Sequence, residues 1–223
     1  MKLDSVSLSA LVALLLVVVP FVLLATTSFM KLSIVLSLLR NALGTGQVPS
    51  GMVITVLAAL LTWFVMLPVE RDVVLAVAPQ LAAVDLAAPL GGESGKALAQ
   101  IFERGREPVR RFLQRNAGAE ERTFFVGLSR RARPEAERKD VSEADFGVVL
   151  PAFFLTELAE AFEIAFLVLL PFLVVDLVVA SILASLGMQA LSPVAVSLPF
   201  KLLLFVTIDG LRTLMDALVA GYR

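Results

Sequence analysis

The clearest indication of the fold comes from the stretch ASLGMQALSPVAVSLPFKLLLFVTIDGLR, residues Ala184 to Arg212. It is apolar almost throughout, but Gly187, Pro193 and Pro199 interrupt it. Glycine tolerates the left-handed backbone angles that end a helix, and proline fits the first turn of a helix better than its interior. The pattern therefore predicts a helix that ends near Gly187, a short loop, and a second helix that begins near Pro193 or Pro199.

The composition of the chain is that of a membrane protein. Hydrophobic residues make up 58% of the 223 residues, charged residues 17%, and the mean hydropathy is +0.89. These values lie well outside the usual balance of a soluble domain. The net charge of −1 comes from opposing charges that nearly cancel. Because no unbalanced basic face results, we expect no nucleic-acid partner.

Cysteine and histidine are both absent from the chain. Their absence excludes disulfides, thiol nucleophiles, zinc sites built on Cys or His, and acid–base catalysis by His. Most common enzyme classes depend on one of these groups. We therefore expect neither a catalytic residue nor a metal or other cofactor.

The first half of the chain contains two long runs without charge, residues 5–30 and residues 41–69. Residues Ser5 to Met30 form a run of 26, which is long for the apolar region of a signal sequence and predicts a helix that is retained. The helical spacing of apolar residues continues to Leu43, and a single helix of that length would extend about 58 Å. Since a bilayer core is only about 30 Å thick, we expect Pro20 to kink the helix or divide it. Lys31 then lies in apolar company, either reaching the membrane surface or facing a carboxylate or a water-filled path.

Residues 51–69, GMVITVLAALLTWFVMLPV, form a clear candidate for a membrane span. After residue 90 the chain becomes polar, and residues 91–147 are interpreted as a small helical insert. In LAQIFERGREPVRRFL, Gly105 and Pro108 favour two short amphipathic helices over one long helix. A third helix is predicted around residues 122–129. Its arginine-rich face is either a solvated surface or a site for anionic lipid or a partner subunit.

The last segment, residues 148–223, is interpreted as a hydrophobic helical hairpin that contains SPVAVSLPFK. Its first helix would extend 37 residues from Pro151 to Gly187, with a kink at Pro171. Residues 1–90 would form an N-terminal hydrophobic helical pair. The predicted fold is therefore all-α, with long, kinked membrane-type helices in hairpins and a polar helical insert between them.

Charged residues divide the second half of the chain into short apolar runs. The uncharged runs number 12 residues before Asp176, 24 between Asp176 and Lys201, and 7 between Lys201 and Asp209. The longest is broken by glycine and proline, so none is an unbroken span of the roughly 20 residues that a bilayer requires. An unpaired charge at the bilayer centre costs at least about 2.5 kcal/mol, so these charges need partners.

Two interpretations of these charges remain open. In the first, five residues form a network to which neighbouring copies of the chain contribute, with Lys201 as its centre; they are Lys31, Glu157, Asp176, Lys201 and Asp209. In the second, a single pair within one chain joins the two helices of a hairpin. Glu160 and Glu163 lie on the same helical stripe as Glu157, which makes that face acidic.

Six segments of the sequence, taken in order, resemble one protein family. They are SLLRNALGTGQVP, FVMLPV, EPVRRFL, PAFFLTELAEAF, LLPFLVVDLVVASIL and LSPVAVSLPFKLLLFVTIDG. Together, from about residue 27 to residue 210, they are similar to the type III secretion export-gate family. Its flagellar member is called FliP and its injectisome member SctR.

The resemblance implies a core subunit of a gate that conducts unfolded secreted proteins. Five copies would assemble with two other small helical membrane subunits into a helical, closed gate, in contact with larger export-gate and secretion-base proteins. The family is inserted in the bacterial inner membrane, although the assembled complex lies largely above the membrane plane. The resemblance implies no enzymatic activity.

In this family a methionine-rich loop before the SPxxxSLPFK segment forms the narrowest point of the gate. Here the loop reads GMQALSP, so Met188 matches, whereas Gln189 and Ala190 depart from the flagellar pattern. Met188 and Gln189 are therefore the candidate gasket of the pore, and the departure favours the injectisome branch. Methionine suits a deformable seal because its side chain is unbranched and flexible.

Two other functions are considered. An autonomous transporter or ion channel would use the intramembrane charges as a path, but the sequence does not show the two inverted halves typical of many transporters. An intramembrane aspartyl protease would pair Asp176 with Asp209. The chain lacks the glycine-flanked aspartate motif that such enzymes carry.

Overall fold

A computed structural model describes residues 5–46, 48–84 and 92–222, and every regular element in these ranges is helical. The predicted all-α fold is confirmed. The boundary predicted between residues 90 and 91 lies outside the described residues. The elements are α1 (Ser5–Thr26), α2 (Phe29–Leu43), α3 (Gly51–Leu81), α4 (Gly92–Asn116), α5 (Ala119–Ala132), a 3₁₀ helix (Glu135–Asp140), α6 (Phe146–Ser185), α7 (Pro193–Thr207) and α8 (Gly210–Ala220).

The chain forms two compact units, and each combines distant parts of the sequence. Unit 1 comprises Met1–Ser28 and Pro68–Thr156, and unit 2 comprises Phe29–Leu67 and Glu157–Arg223. Unit 1 contains α1, α4 and α5, whereas unit 2 contains α2, α7 and α8. Helices α3 and α6 begin in one unit and end in the other.

Two helices are long and apolar enough to cross a membrane, namely α3 with 31 residues and α6 with 40. Two bent pairs, α1 with α2 and α7 with α8, raise the number of candidate spans to four in the described residues if each pair counts as one span. The bend between α7 and α8 is 60°. Helix α6 alone extends about 60 Å at 1.5 Å per residue, twice the thickness of a bilayer core.

Pro20 does not divide the first helix, which was one of the two effects expected of it. Helix α1 continues through Pro20 and ends at Thr26. The hydroxyl groups of Thr26 and Thr27 donate hydrogen bonds to the carbonyls of Val22 and Leu23, 2.8 and 2.7 Å away. Such bonds from a threonine to the preceding turn compete with the helical pattern and bend helices. The chain leaves the helix at Thr26, whereas the proline is accommodated within it.

Prolines also lie inside other helices. Helix α6 is continuous through Pro171, and α7 begins at Pro193 and continues through Pro199. Pro171 therefore does not divide α6, and the second helix begins at Pro193, one of the two starts expected from the sequence. A proline removes only one backbone hydrogen bond, and in membrane proteins neighbouring groups satisfy the carbonyl it frees. One missing bond does not end a helix of 40 residues.

The polar insert contains one long helix where two short ones were predicted. Helix α4 extends through both Gly105 and Pro108. A Cβ atom added at Gly105 would lie 3.3 Å from Cγ1 of Val77 in α3. This glycine therefore permits α4 to pack closely against α3, and it does not end the helix. The third helix predicted near residues 122–129 is present as α5.

The core of unit 2 forms around the buried face of α2. Leu32, Val35, Leu36 and Leu39 are spaced three or four residues apart, and all are buried. They belong to one apolar cluster with residues of α3, α6 and α8, including Ile54, Ala58, Ala161, Phe172, Leu214 and Leu218. Between helices in lipid, close van der Waals packing of such side chains stabilises the contact. This packing holds α2 beside the half of α6 that carries the acidic residues.

The end of α6 has the hydrogen bonds of a Schellman motif. Gly187 has φ of 69°. Its amide donates to the carbonyl of Ala184 at 3.1 Å, and the amide of Met188 donates to the carbonyl of Leu183 at 2.9 Å. Only glycine adopts this left-handed conformation without steric cost, so the chain turns sharply at this point. The turn places Met188 at the start of the loop between α6 and α7.

Candidate functional site

Lys201 lies at the centre of a buried polar group in unit 2. Its ammonium nitrogen lies 2.6 Å from Oδ2 of Asp176 and 3.2 Å from the carbonyl oxygen of Ala42. The hydroxyl of Ser197, one helical turn before Lys201, donates to Oδ1 of Asp176 at 2.5 Å. Only 3% of the lysine side chain and 27% of the aspartate side chain are exposed. The group joins α6, α7 and α2.

The contact with Ala42 has a specific cause. The last four carbonyls of an α-helix have no partner within the helix, and the end of a helix dipole favours a cation. Ala42 lies in the last turn of α2, which ends at Leu43. Lys201 therefore satisfies a carbonyl that would otherwise be unpaired in an apolar environment, in addition to neutralising Asp176.

Lys31 forms a second buried cluster. Its ammonium nitrogen lies 2.9 Å from Oε1 of Glu157 and 2.7 Å from Oε2 of Glu160. The ring of Tyr222 lies 4.0 Å below the same nitrogen, and the tyrosine hydroxyl donates to Oε2 of Glu157. Lys31 and Glu157 are almost completely buried, whereas Glu160 is 45% exposed. The cluster joins α2, α6 and the residues that follow α8.

Four of the five charges predicted to form a network between copies are therefore paired within one chain. Lys31 pairs with Glu157, and Lys201 pairs with Asp176. The Lys201–Asp176 pair matches the alternative in which an intrachain pair joins the two helices of a hairpin, whereas the Lys31–Glu157 pair joins α2 to the distant helix α6. Neighbouring copies need not supply partners for these four residues.

Several contributors to the two clusters were not predicted. Lys31, which contacts two carboxylates, has more acidic partners than Lys201. Glu160 lies three residues after Glu157 and therefore on the same face of α6. This spacing could have indicated that both carboxylates face the same basic partner. No sequence pattern indicated Tyr222, which is 65 residues from Glu157 in the chain.

Asp209, the fifth predicted charge, lies in a different setting. It is exposed, has a left-handed backbone with φ of 50°, and precedes α8 without a capping hydrogen bond from its side chain. Aspartate is among the few residues other than glycine that adopt this conformation readily. Its role between subunits stays a prediction.

The loop between α6 and α7 carries the two predicted gasket residues. Met188 is 44% exposed, and Gln189 is also exposed. Leu186 and Leu191, on either side, are exposed apolar residues as well. The loop thus presents a mainly apolar surface at one end of the α6–α7 hairpin.

Unit 1 contains a cleft of about 680 Å³. It is lined by arginines and acidic residues between positions 76 and 146, so it includes none of the predicted site residues. Arg110 bonds to Glu107 at 2.7 Å and Arg106 to Glu103 at 2.5 Å. The Arg110 guanidinium holds the pKa of the Glu107 carboxyl below its usual range. The arrangement is that of paired surface charges. In the described part of the chain, no three His, Cys, Asp or Glu residues are placed to hold a metal ion.

Comparison with known proteins identifies the family of this chain. The model of the FliP family matches residues 11–218. The chain belongs to the FliP family. The match includes both buried charge clusters except Tyr222, and the whole loop between α6 and α7.

Relatives of the FliP-family chain come from secretion systems and from flagella. The hypersensitivity response secretion protein HrcR of Ralstonia nicotianae is 41% identical over 204 residues, which cover 92% of this chain and 91% of the relative. The Yop proteins translocation protein R of Yersinia pestis is 39% identical over 211 residues, or 93% and 92% of the two chains. The flagellar biosynthetic protein FliP of Caulobacter vibrioides is 39% identical over 205 residues, or 92% of this chain and 71% of the relative.

These comparisons establish the general function of the FliP-family chain. It is a protein of the type III secretion export apparatus, it sits in the membrane, and like other translocation proteins of its family it is not an enzyme. The alignments span nearly the full length of the HrcR and Yop relatives but less of the flagellar one. The injectisome branch stays a prediction that rests on the departure of Gln189 from the flagellar loop pattern.

Proposed function

We propose that the chain is a core subunit of the protein-conducting export gate. Five copies assemble with two other small membrane subunits, and the assembly contacts the larger export-gate and secretion-base proteins. Unfolded secreted proteins pass through the channel that the copies surround. The observation that carries this proposal is the match to the FliP family over residues 11–218.

The surface of the α6–α7 hairpin supports assembly. On α6, Leu173, Leu177 and Ile182 are 46%, 68% and 52% exposed, and on α7 Leu203 and Val206 are 63% and 73% exposed. Lys201 and Asp176 of the hairpin pair with each other, whereas Glu163 of α6 is exposed. An apolar exterior of this kind suits contact with lipid during insertion and with neighbouring helices after assembly.

The loop of residues 186–192 carries the proposed gasket, Met188 and Gln189. Met188 and Gln189 from each copy would meet at the common axis, where the apolar, flexible side chain of Met188 excludes water and ions yet yields to a passing chain. The exposure of Met188 at the end of a long hairpin supports this role. The Schellman motif at Gly187 supports it further, because it gives the loop a defined start.

The autonomous transporter is the alternative function. It requires intramembrane charges that line a path for the solute or ion. Since Lys31 with Glu157 and Lys201 with Asp176 pair within the chain, those four charges are accounted for by the stability of the fold. Their pairing favours the gate.

Co-expression tests the proposed function. An affinity-tagged copy of the chain is expressed with the two small partner subunits, extracted in mild detergent and purified. We expect a single assembly that contains several copies of this chain and both partners, with a mass that fits five copies. A chain that purifies as a monomer from the same membranes would contradict the proposal.

A further inference from the structure

The residues that follow α8 connect this helix to the buried cluster around Lys31. Tyr222 lies two residues beyond Ala220, where α8 ends. Its ring lies 4.0 Å from the Lys31 ammonium nitrogen, and its hydroxyl donates a hydrogen bond to Oε2 of Glu157. Lys31 belongs to α2 and Glu157 to α6. One aromatic side chain therefore joins the end of α8 to an ion pair between two other helices.

The other end of α8 has the features of a hinge. Helix α7 ends at Thr207, and α8 starts at Gly210 with its axis turned by 60°. Between them Asp209 has φ of 50°, and it is the one non-glycine residue with a positive φ in the described ranges. Its side chain forms no capping hydrogen bond to α8. Hinges are commonly a few residues at the ends of elements that absorb a change in backbone angles.

Between the hinge and Tyr222, few side chains hold α8 in place. Of its 11 residues only Gly210, Leu214 and Leu218 are buried. An apolar space of about 350 Å³ remains between α6 and α8, lined by residues such as Leu167 and Ala217. Segments with few buried contacts open at a lower free energy than the core to which they attach. Tyr222 therefore supplies a substantial part of the attachment of α8.

We propose that α8 together with Gly221 and Tyr222 forms a strap that swings about Asp209 and Gly210, and that Tyr222 fastens it to the Lys31–Glu157 pair. The fastening site exists only after α2 has packed against α6, because each helix supplies one of the two charges. The strap therefore closes after the first and second halves of the chain have joined. Opening the strap leaves the rest of unit 2 packed.

Cysteine cross-linking measures whether the strap is closed, because the chain has no cysteine of its own. Leu167→Cys on α6 and Ala217→Cys on α8 place two thiols across the apolar space. A short bis-maleimide joins them efficiently only while α8 lies against α6. The chain is expressed in membranes that lack the partner subunits, so the result is independent of assembly and of the proposed function.

Variants of Tyr222 test the fastening. Tyr222→Ala should lower the ratio of closed to open chains at least about tenfold, because a hydrogen bond to a charged group and a cation–π contact are both lost. Tyr222→Phe keeps the ring over Lys31 and should give an intermediate ratio. Glu160→Gln, at a half-exposed carboxylate of the same cluster, is the matched control and should leave the ratio unchanged.

The fastening site is tested from the other side by a double variant. Lys31→Met with Glu157→Leu removes the ion pair without leaving an unpaired charge. It should open the strap about as far as Tyr222→Ala does, and combining the two changes should open it no further. A closed strap in the double variant would show that Tyr222 does not fasten to this pair.

Two glycines test the position of the hinge. A Cβ atom added at Gly210 would overlap the ring of Phe205, whereas one at Gly221 would have no neighbour closer than 3.6 Å. Gly210→Ala should therefore displace the start of α8 and lower the cross-linked fraction several-fold, and Gly221→Ala should not. Equal cross-linking of the two variants would contradict a hinge at Asp209 and Gly210.

A buried thiol elsewhere in unit 2 separates opening of the strap from unfolding of the unit. Ala58→Cys lies on α3 and is fully buried in the same core. In the Tyr222→Ala chain it should still react slowly with a thiol reagent. Fast reaction of this thiol would show that Tyr222 stabilises the whole unit, and a cross-linked fraction unchanged by Tyr222→Ala would show that α8 needs no fastening; either result would overturn the strap.

Discussion

The ammonium group of Lys201 lies 2.6 Å from Oδ2 of Asp176, although 25 residues separate the two in the chain. The pair closes the turn between α6 and α7, and Ser197 and the carbonyl of Ala42 complete it. A charge in a hairpin of this hydropathy is tolerated because its partner comes from the same hairpin. The pair therefore allows the hairpin to be inserted before any neighbouring copy is present.

Lys201→Ala should destabilise the chain. Removing one partner of a buried ion pair costs about 3–5 kcal/mol, because the remaining charge is left without compensation. We expect the lower end of this range, because Asp176 is 27% exposed and keeps its bond to Ser197. The loss is measured as the change in thermal unfolding in detergent, and it should also reduce assembly with the partner subunits.

The matched control for this prediction removes both charges. Lys201→Met with Asp176→Leu leaves no unpaired ion and should recover most of the stability that Lys201→Ala loses. If the double variant were as unstable as the single one, the loss would come from packing, and the ion pair would not be its cause.

The two glutamates that contact Lys31 should differ in importance. Glu157→Gln removes a buried charge that accepts from both Lys31 and Tyr222, which we expect to cost about 1.5–3 kcal/mol. Glu160→Gln changes a carboxylate that is 45% exposed and should cost less than about 1 kcal/mol. Unfolding of the two variants under identical conditions compares them, and equal losses would show that burial does not set the energetics of this cluster.

The sequence predicted the elements of this fold better than the contacts between them. The all-α architecture follows from hydropathy and helical spacing, and the chain turns at Gly187 because of the local chemistry of glycine. The partners of Lys31 are 126 and 129 residues away, so no local pattern pairs them. The need for partners was evident from the cost of unpaired charge, whereas the identity of those partners depends on how the helices pack.

The incorrect predictions concern glycines and prolines inside helices. Gly105 was interpreted as an interruption, but it allows α4 to approach Val77 of α3. Pro20 was expected to kink or divide the first helix and Pro171 to kink α6, and neither proline divides its helix. Helix propensity gives the free-energy cost of a glycine or proline inside a helix. Whether the helix ends there depends on the packing of neighbouring helices, which can offset that cost.

Gly187→Ala should weaken the turn between α6 and α7. The residue has φ of 69°, a conformation that costs an alanine about 1–2 kcal/mol. Nothing lies within 4 Å of a Cβ atom at this position, so steric clash does not contribute. Gly187→Asn is the control, because asparagine adopts this conformation more readily. We expect thermal unfolding to rank glycine first, asparagine second and alanine third; an alanine variant as stable as the parent would contradict the role of the turn.

Met188→Ala should make the assembled gate leak small ions while leaving assembly intact. The shorter side chain removes flexible apolar volume from the proposed seal. Ion conductance of membranes that contain the assembled complex measures the leak. Ser192→Ala, in the same loop but outside the proposed gasket, is the control. A Met188→Ala complex that conducts no more than the parent would place the seal elsewhere.

The most direct test of the gate is a single-particle image of the chain co-expressed with both small partner subunits. It shows the number of copies, the position of each partner and the residues nearest the axis. The account predicts five copies whose 186–192 loops converge on the axis, with Met188 of each copy at the narrowest point. An assembly in which these loops lie on the outer surface, or in which the chain has no axis shared with other copies, would contradict it.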